Sequence, residues 1–381
     1  MPTYKAPGIH VEEGGGSPPI IEGVPTGIPA FLGETEGGPL QPQLVASLGA
    51  YRRSFGTSSP FMDDALKGFF DNGGDRAFVA RIVGTGGADK AVTAPDLRGE
   101  NSAPAGRQGL AALEADEFRD VCLIAAPGLT GPSIVDALCD HCERHRFRFA
   151  VLDSPRGSAD AAALDPRAHR ASSYAALYHP WLRVAASATT GAKLVPPSGH
   201  VLGVYARVDR DRGVWKAPAN EPVRGADDLE YRIDNSQQDL LNPRGVNVIR
   251  HFPGRGIRVW GARTLASDPE WKYVSVRRYF IFLERSLYRG TEWDVFEPNG
   301  EPLWTAVRGR IEQFLLAQWR AGALMGTKPE HAFYVRCDRS TMTQEDLNSG
   351  RLVVEIGVAP MRPAEFVVFR LFQWTADRDD D

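Results

Sequence analysis

Cys139-Asp-His-Cys142, followed by His145, places four soft or borderline ligands within seven residues, a density that resembles a zinc cluster. The segment falls on a predicted helix, where positions 138, 142 and 145 share a face while 139 and 141 point elsewhere. A structural zinc also needs a second Cys or His pair at a distance, and none follows. The expectation is therefore no metal, with Cys139 and Cys142 as helix residues of mixed burial. Two glycine clusters, Gly84-Thr-Gly-Gly87 and Gly254-Arg-Gly-Ile-Arg-Val-Trp-Gly261, invite a phosphate reading. A dinucleotide site needs its glycines between a strand and a helix N-terminus. The first cluster runs into Ala-Asp-Lys-Ala and the second opens a strand, so neither has that context. Asp153 ends a predicted parallel strand, where α/β enzymes often keep a catalytic carboxylate; capping the following turn is the alternative. Pro197-Ser-Gly-His200 has no triad around it and no Gly-x-Ser-x-Gly elbow occurs. No enzyme and no cofactor are expected.

The elements that carry these residues form an α/β rhythm. Ile28–Leu32 and Ala77–Val83 read as buried strands, with a helix from Phe61 to Phe70 that stops at Asn72-Gly73-Gly74. Val121–Ala125, helix Pro132–Arg146 and Phe147–Asp153 then make a strand–helix–strand unit, which argues for a parallel sheet. Residues 207–250 are polar and read as a surface excursion. Val276, Phe280, Leu283 and Leu287 mark one helix face at spacings of three and four. Trp293–Phe296 alternates like a strand. A second helix runs from about Pro302 to Leu324 on the stripe Val307, Ile311, Phe314, Leu315 and Trp319. Ala332–Cys337 and Leu352–Val358 read as strands. The fold class is α/β, becoming α+β in the C-terminal part. The domains expected are an arm and linker over 1–22, an α/β domain over 23–255 and a C-terminal domain over 256–381.

With 381 residues, 43% apolar and 24% charged, the chain has the composition of an ordinary globular protein. A net charge of −4 gives no reason to expect nucleic acid. No stretch reaches the ~18 apolar residues of a membrane span, and no signal peptide is read, so a protein made and folded in a cytosol is expected. Each terminus ends in a β-prone segment. Tyr4-Lys-Ala-Pro-Gly-Ile-His-Val-Glu-Glu13 is tied to the body by Gly14, Gly15 and Gly16. Ala364–Trp374 follows the punctuation Ala359-Pro-Met-Arg-Pro363. Detachable strands at both ends suggest donation to neighbours.

Blocks along the chain resemble contractile tail sheath proteins. They include the opening Tyr4-x-x-Pro-Gly-Ile-x-Val-Glu-Glu13, Phe69-Phe-Asp-Asn-Gly-Gly74 and Ser173–Trp181. Val195–Ala206, Arg212–Pro218, Phe252–Leu265, Trp293–Asn299 and Gly357–Phe366 continue the series in consistent order. The resemblance implies a compact sheath fold with extended N- and C-terminal β-strand arms. It implies a structural subunit that stacks in hexameric rings around an inner tube and contracts to drive the tube through a target envelope. Self, tube, baseplate and terminal cap proteins are the implied partners, with room for paralogous sheath subunits. No nucleic acid and no direct membrane insertion are expected. Intersubunit arm residues would be Tyr4, Ile9, Val11, Phe366, Val368, Phe369, Phe372 and Trp374. Gly14, Gly15, Gly16, Pro360 and Pro363 would be hinges. Arg308, Arg310 and Arg320 would face the tube. A non-contractile tube or tail adaptor, and a nucleotide-binding module, are the alternatives from other classes.

Overall fold

The computed structural model describes residues 20–99, 106–187 and 191–370. Two compact units divide the chain. Of the described residues, one holds those within 24–285 and 360–370, the other those within 20–23 and 286–359. The division lies beyond the 255/256 boundary expected from the sequence. A cut there would fall in the turn between two paired antiparallel strands, Val246–Phe252 and Gly256–Val259.

The larger unit is built on strands β1 (Pro29–Gly33), β2 (Gln43–Val45), β3 (Ala77–Arg81), β4 (Leu123–Ala125), β5 (Phe149–Asp153), β6 (Ala175–His179), β7 (Leu182–Ser187), β8 (Gly191–Val195), β9 (Glu221–Pro222), β10 (Asp228–Leu229), β11 (Val246–Phe252) and β12 (Gly256–Val259). Nine of them form one sheet in the order β2-β3-β1-β4-β5-β6-β11-β12-β9. The run β3-β1-β4-β5-β6-β11 is parallel throughout, and antiparallel strands close both ends. Such strands are buried on both faces and read as continuous apolar runs. Their side chains alternate between two core clusters. Phe31, Phe149 and Val151 point into one, and Ala30, Leu32, Ala150 and Leu152 into the other. Helices Met62–Asp71 and Ser198–Arg212 supply the first cluster, and helix Pro132–His145 the second.

Helix Ser198–Arg212, for which the sequence analysis placed no element, is buried through its first eleven residues. It lies close to helix Met62–Asp71 because Gly199 and Gly203 present no side chain. A Cβ on Gly199 would stand 2.4 Å from the Ala65 Cα, and one on Gly203 2.4 Å from the Phe69 carbonyl oxygen. Backbone atoms cannot step aside, so Gly203→Val should cost about 3 kcal/mol or more. The check is urea unfolding; an unchanged midpoint would remove this reading of the crossing.

The Asn72 side chain ties the same layer together. Its amide donates to Gly68 O (2.9 Å) and Arg224 O (3.0 Å), and its oxygen accepts from the Arg224 N–H (2.8 Å). Deeper in, Arg278 of helix Val274–Gly290 meets Asp209 at 3.0 and 2.5 Å, with both side chains nearly sealed from solvent. Arg278 also donates to Thr26 O and lies over the Tyr205 ring, and Tyr205 shares a 2.6 Å hydroxyl hydrogen bond with Tyr178. The excursion expected at 207–250 instead contains β11, whose Val246–Ile249 are fully buried inside the sheet.

The smaller unit is organised by helix Glu301–Arg320, which buries Trp304, Val307, Arg310, Ile311, Phe314 and Leu315. Trp304 packs with Cys337 and Met342. Beside it, β13 (Phe333–Arg336) and β14 (Glu355–Val358) form a two-stranded antiparallel sheet. Gly357 stands opposite Tyr334, where any Cβ would strike the ring. Residues 293–296, expected as a strand, form the end of a 3-10 turn (Glu292–Asp294), and Phe296 is left fully exposed at φ 73°.

Candidate assembly site

Two of the places where chemistry was sought, the Cys139–His145 segment and Asp153, have their polar groups engaged by neighbours in the fold. Cys139 and Cys142 are both completely buried, against the mixed burial expected. Burial pushes the Cys139 thiol up to about 12. The groups that do converge are Glu114, His141 and His145, whose ligand atoms lie within 4.8 Å of one another. The Arg148 guanidinium already occupies the His141 Nε2 at 2.9 Å. Burial, with Arg148 beside it, pushes His141 down to about 2, so the cluster carries a built-in cation where an ion would sit.

Asp153 ends β5 and caps a helix rather than the following turn. Its carboxylate accepts the Ser198 N–H (2.7 Å), the Ser198 hydroxyl (2.8 Å) and the Gly128 N–H (3.0 Å). Burial nevertheless pushes its carboxyl from 3.8 up to about 6, against the three donors. A raised carboxyl favours the folded state below pH 3.8, and this contribution is lost as pH rises through about 6. Stability measured in urea between pH 5 and 7.5 should show that fall in the native protein. Asp153→Asn, which cannot ionise, should flatten it; an identical slope in both proteins would refute the assignment.

Among the described residues, a run of consecutive exposed large apolar side chains lies in the C-terminal arm. Residues 361–370 make no regular secondary structure. Phe366, Val367, Val368 and Phe369 are 69–82% exposed, four consecutive large apolar side chains facing water. A soluble fold rarely leaves such a run open. Immediately before it the chain is held hard. Glu365 receives Arg263 Nε (2.7 Å) and an Arg263 terminal nitrogen (2.8 Å), the Asn242 amide (3.0 Å), the Tyr273 hydroxyl (3.1 Å) and Lys272 Nζ (3.2 Å). Burial opposes the charge here, but these donors overcome it and hold the carboxyl down at about 2. The clamp therefore contributes in full above pH 4.5 and is lost as pH falls toward 2. The sequence reading held Glu365 within the block Gly357–Phe366 but gave it no role. The available signal was a single carboxylate at the head of an otherwise apolar segment.

The remaining expected residues divide as follows. Tyr4, Ile9, Val11, Gly14, Gly15, Gly16, Phe372 and Trp374 lie outside the described residues. Pro360 and Pro363 are half-buried ahead of the clamp. Arg308 is part-exposed, 3.9 Å from Glu312, and Arg320 is exposed. Arg310 does not join them. It is buried, bonded to Asp294 at 2.6 Å and 3.9 Å from the Trp293 ring centroid. The two-stranded sheet β13–β14 pairs with no further strand among the described residues, and the Met325 N–H donates to Ala359 O just past the end of β14. No helix among these residues is long and apolar enough to cross a membrane.

Comparison with known proteins gives a consistent result. The phage tail sheath protein central domain matches residues 91–265, and the phage tail sheath C-terminal domain matches residues 266–373. The helical sheath of the anti-feeding prophage in its contracted state is 32% identical with a TM-score of 0.80, covering 97% of this chain and all of that one. The contracted PVC sheath of an extracellular contractile injection system is 30% identical at a TM-score of 0.80, covering 99% and 100%. A prophage major tail sheath protein of Pseudomonas aeruginosa is 26% identical over 71% of this chain and 70% of its own length. The tail sheath protein of Burkholderia phage BcepMu is 27% identical over 73% of this chain, which spans 61% of that relative.

Proposed function

The chain belongs to the contractile tail sheath family and is a contractile sheath subunit, and we propose that it polymerises through its two arms into a helical sleeve around an inner tube. Contraction of the sleeve would drive that tube through a target envelope. The family and fold are those of structural proteins. The solved relatives are sheath and baseplate assemblies, which supports self-association and contact with a baseplate.

The observation that carries the reading is a pairing within one chain: an exposed apolar run at 366–369 and, among the described residues, a sheet of two strands. An isolated two-stranded sheet is marginal by itself and gains most from added strands. Each donated backbone hydrogen bond is worth about 0.5–1.5 kcal/mol net. Burial of the Phe and Val side chains adds to that, and repetition over a lattice gives avidity. Arms that stay paired while the body reorients would let the sleeve shorten without coming apart.

The tube contact we propose uses the exposed cations of helix Glu301–Arg320, namely Arg308 and Arg320, against an acidic tube surface. Arg310 is excluded by its burial against Asp294 and Trp293. Reversal of Arg308 and Arg320 to Glu should strip the sheath from purified tubes by at least about tenfold in a co-sedimentation assay, on the scale of two lost charge pairs. Retention at the native level would end the proposal.

The sleeve itself is tested by negative-stain electron microscopy of the full-length protein beside a deletion of residues 1–16. Striated hollow tubes in the first and none in the second support a sheath joined by the N-terminal arm. Tubes from both would leave the sheath and discard that arm as a required link.

A further inference from the structure

The clamp at Glu365 joins two parts of the sequence that are a hundred residues apart. Arg263 meets it with both faces of its guanidinium fork, the bidentate geometry that fixes direction as well as distance. Arg263 is itself buried and immobilised. Its third nitrogen donates to Asn242 O (2.9 Å), and its backbone N–H donates to the Asn247 side-chain oxygen (2.6 Å). Asn247 is fully buried in β11, where its amide donates to Leu177 O and Arg263 O. A continuous line of hydrogen bonds therefore runs from the parallel sheet to Glu365. One residue later the chain changes character completely, with Phe366 already 69% exposed.

We propose that Glu365 is a positioning residue for assembly: it locks the root of the C-terminal arm to its own subunit, so that Phe366–Phe369 are presented to a second copy of the chain from one fixed point. The second-copy part rests on the sheath reading above; the lock does not. A tethered but unpinned arm would search a volume set by its whole free length, and pinning its root raises its effective concentration at a neighbour's sheet edge. It also removes part of the ordering entropy that docking would otherwise cost. The lock moves the pivot. Prolines 360 and 363 precede the clamp, so the arm bends after Glu365 and not at the Pro-rich segment expected from the sequence. Exposed ion pairs contribute little, but this carboxylate faces a buried, bidentate arginine together with Lys272, Tyr273 and Asn242.

The test uses the full-length protein in two assays. In the unassembled subunit, chymotrypsin cleavage after Phe366 reports release of the root. In assembly conditions, electron microscopy reports tube yield. Glu365→Ala should raise the cleavage rate at least about tenfold, the local-opening change expected when an anchor of this kind is lost, and should lower tube yield by a similar factor. Glu365→Gln keeps the side-chain volume and one acceptor oxygen. It is the variant to use if Glu365→Ala shifts the thermal midpoint, and it should fall between the two. Unchanged cleavage in a folded variant overturns the lock. Faster cleavage with native tube yield overturns its role in presenting the arm. If the native protein itself forms no tubes, self-assembly fails as a reading of the chain, while the cleavage ratio still decides the lock.

Discussion

Replacing Phe366 and Phe369 together by Asp should abolish tube formation while leaving the isolated subunit as stable as the native one. Both side chains are mostly in water in the monomer, so their loss removes no packing there. Surface substitutions of this kind stay within about 0.5 kcal/mol. In the sleeve the same positions would be buried against a neighbour. Burying a Phe is worth about 1.5–3 kcal/mol, and a buried unpaired carboxylate costs more than that gain. The loss recurs at every subunit, so a moderate defect per contact becomes a complete one for the polymer. Thermal unfolding and electron microscopy of the same preparation separate the two effects. Native-like tubes from the doubly substituted protein would show that the arm is not a link between copies.

The largest effect on the subunit itself should come from Asp209→Asn. Arg278 would then keep a buried guanidinium without its carboxylate, since Asp209 supplies both short contacts. Removing one partner of a buried pair costs about 3–5 kcal/mol, because the remaining charge stays desolvated. At about 2–4 °C per kcal/mol for a unit of this size, the thermal midpoint should drop by roughly 10 °C. Replacing both partners, as Asp209→Leu with Arg278→Met, should recover much of the loss, since an apolar pair of similar volume no longer strands a charge. A single variant that loses less than about 1 kcal/mol would show that water reaches the pair.

The parallel core was readable because its strands are short apolar runs between breakers, as in Phe149–Asp153. Helix Ser198–Arg212 was not. Its first eleven residues are all buried, so it lacks the polar face that makes a helix periodic, and Pro196 and Pro197 before it with Gly199 and Gly203 within it look like loop punctuation. Strand β11 hid because its outer end, half-buried Arg250 and exposed His251, coloured the surrounding polar window. Trp293–Phe296 alternates as a strand would, yet Arg310 draws Trp293 and Asp294 into a turn.

The candidate site was half legible. The exposed apolar arm could be anticipated from the residues, and the anchor that aims it could not, because Glu365 and Arg263 are distant in sequence. Arg310 was misplaced against available information: it follows Val307 by three residues and precedes Phe314 by four, which puts it on the buried stripe.

The four cysteines have a consequence for the life of an assembled particle. All are buried and unpaired, and burial raises every one of their thiols. Reaction with oxygen, peroxide or another disulfide proceeds through the thiolate at an accessible sulfur. A subunit whose four sulfurs are all out of reach can meet an oxidising medium without cross-linking to another copy through them. Disulfide exchange therefore has no accessible sulfur from which to lock neighbouring copies together.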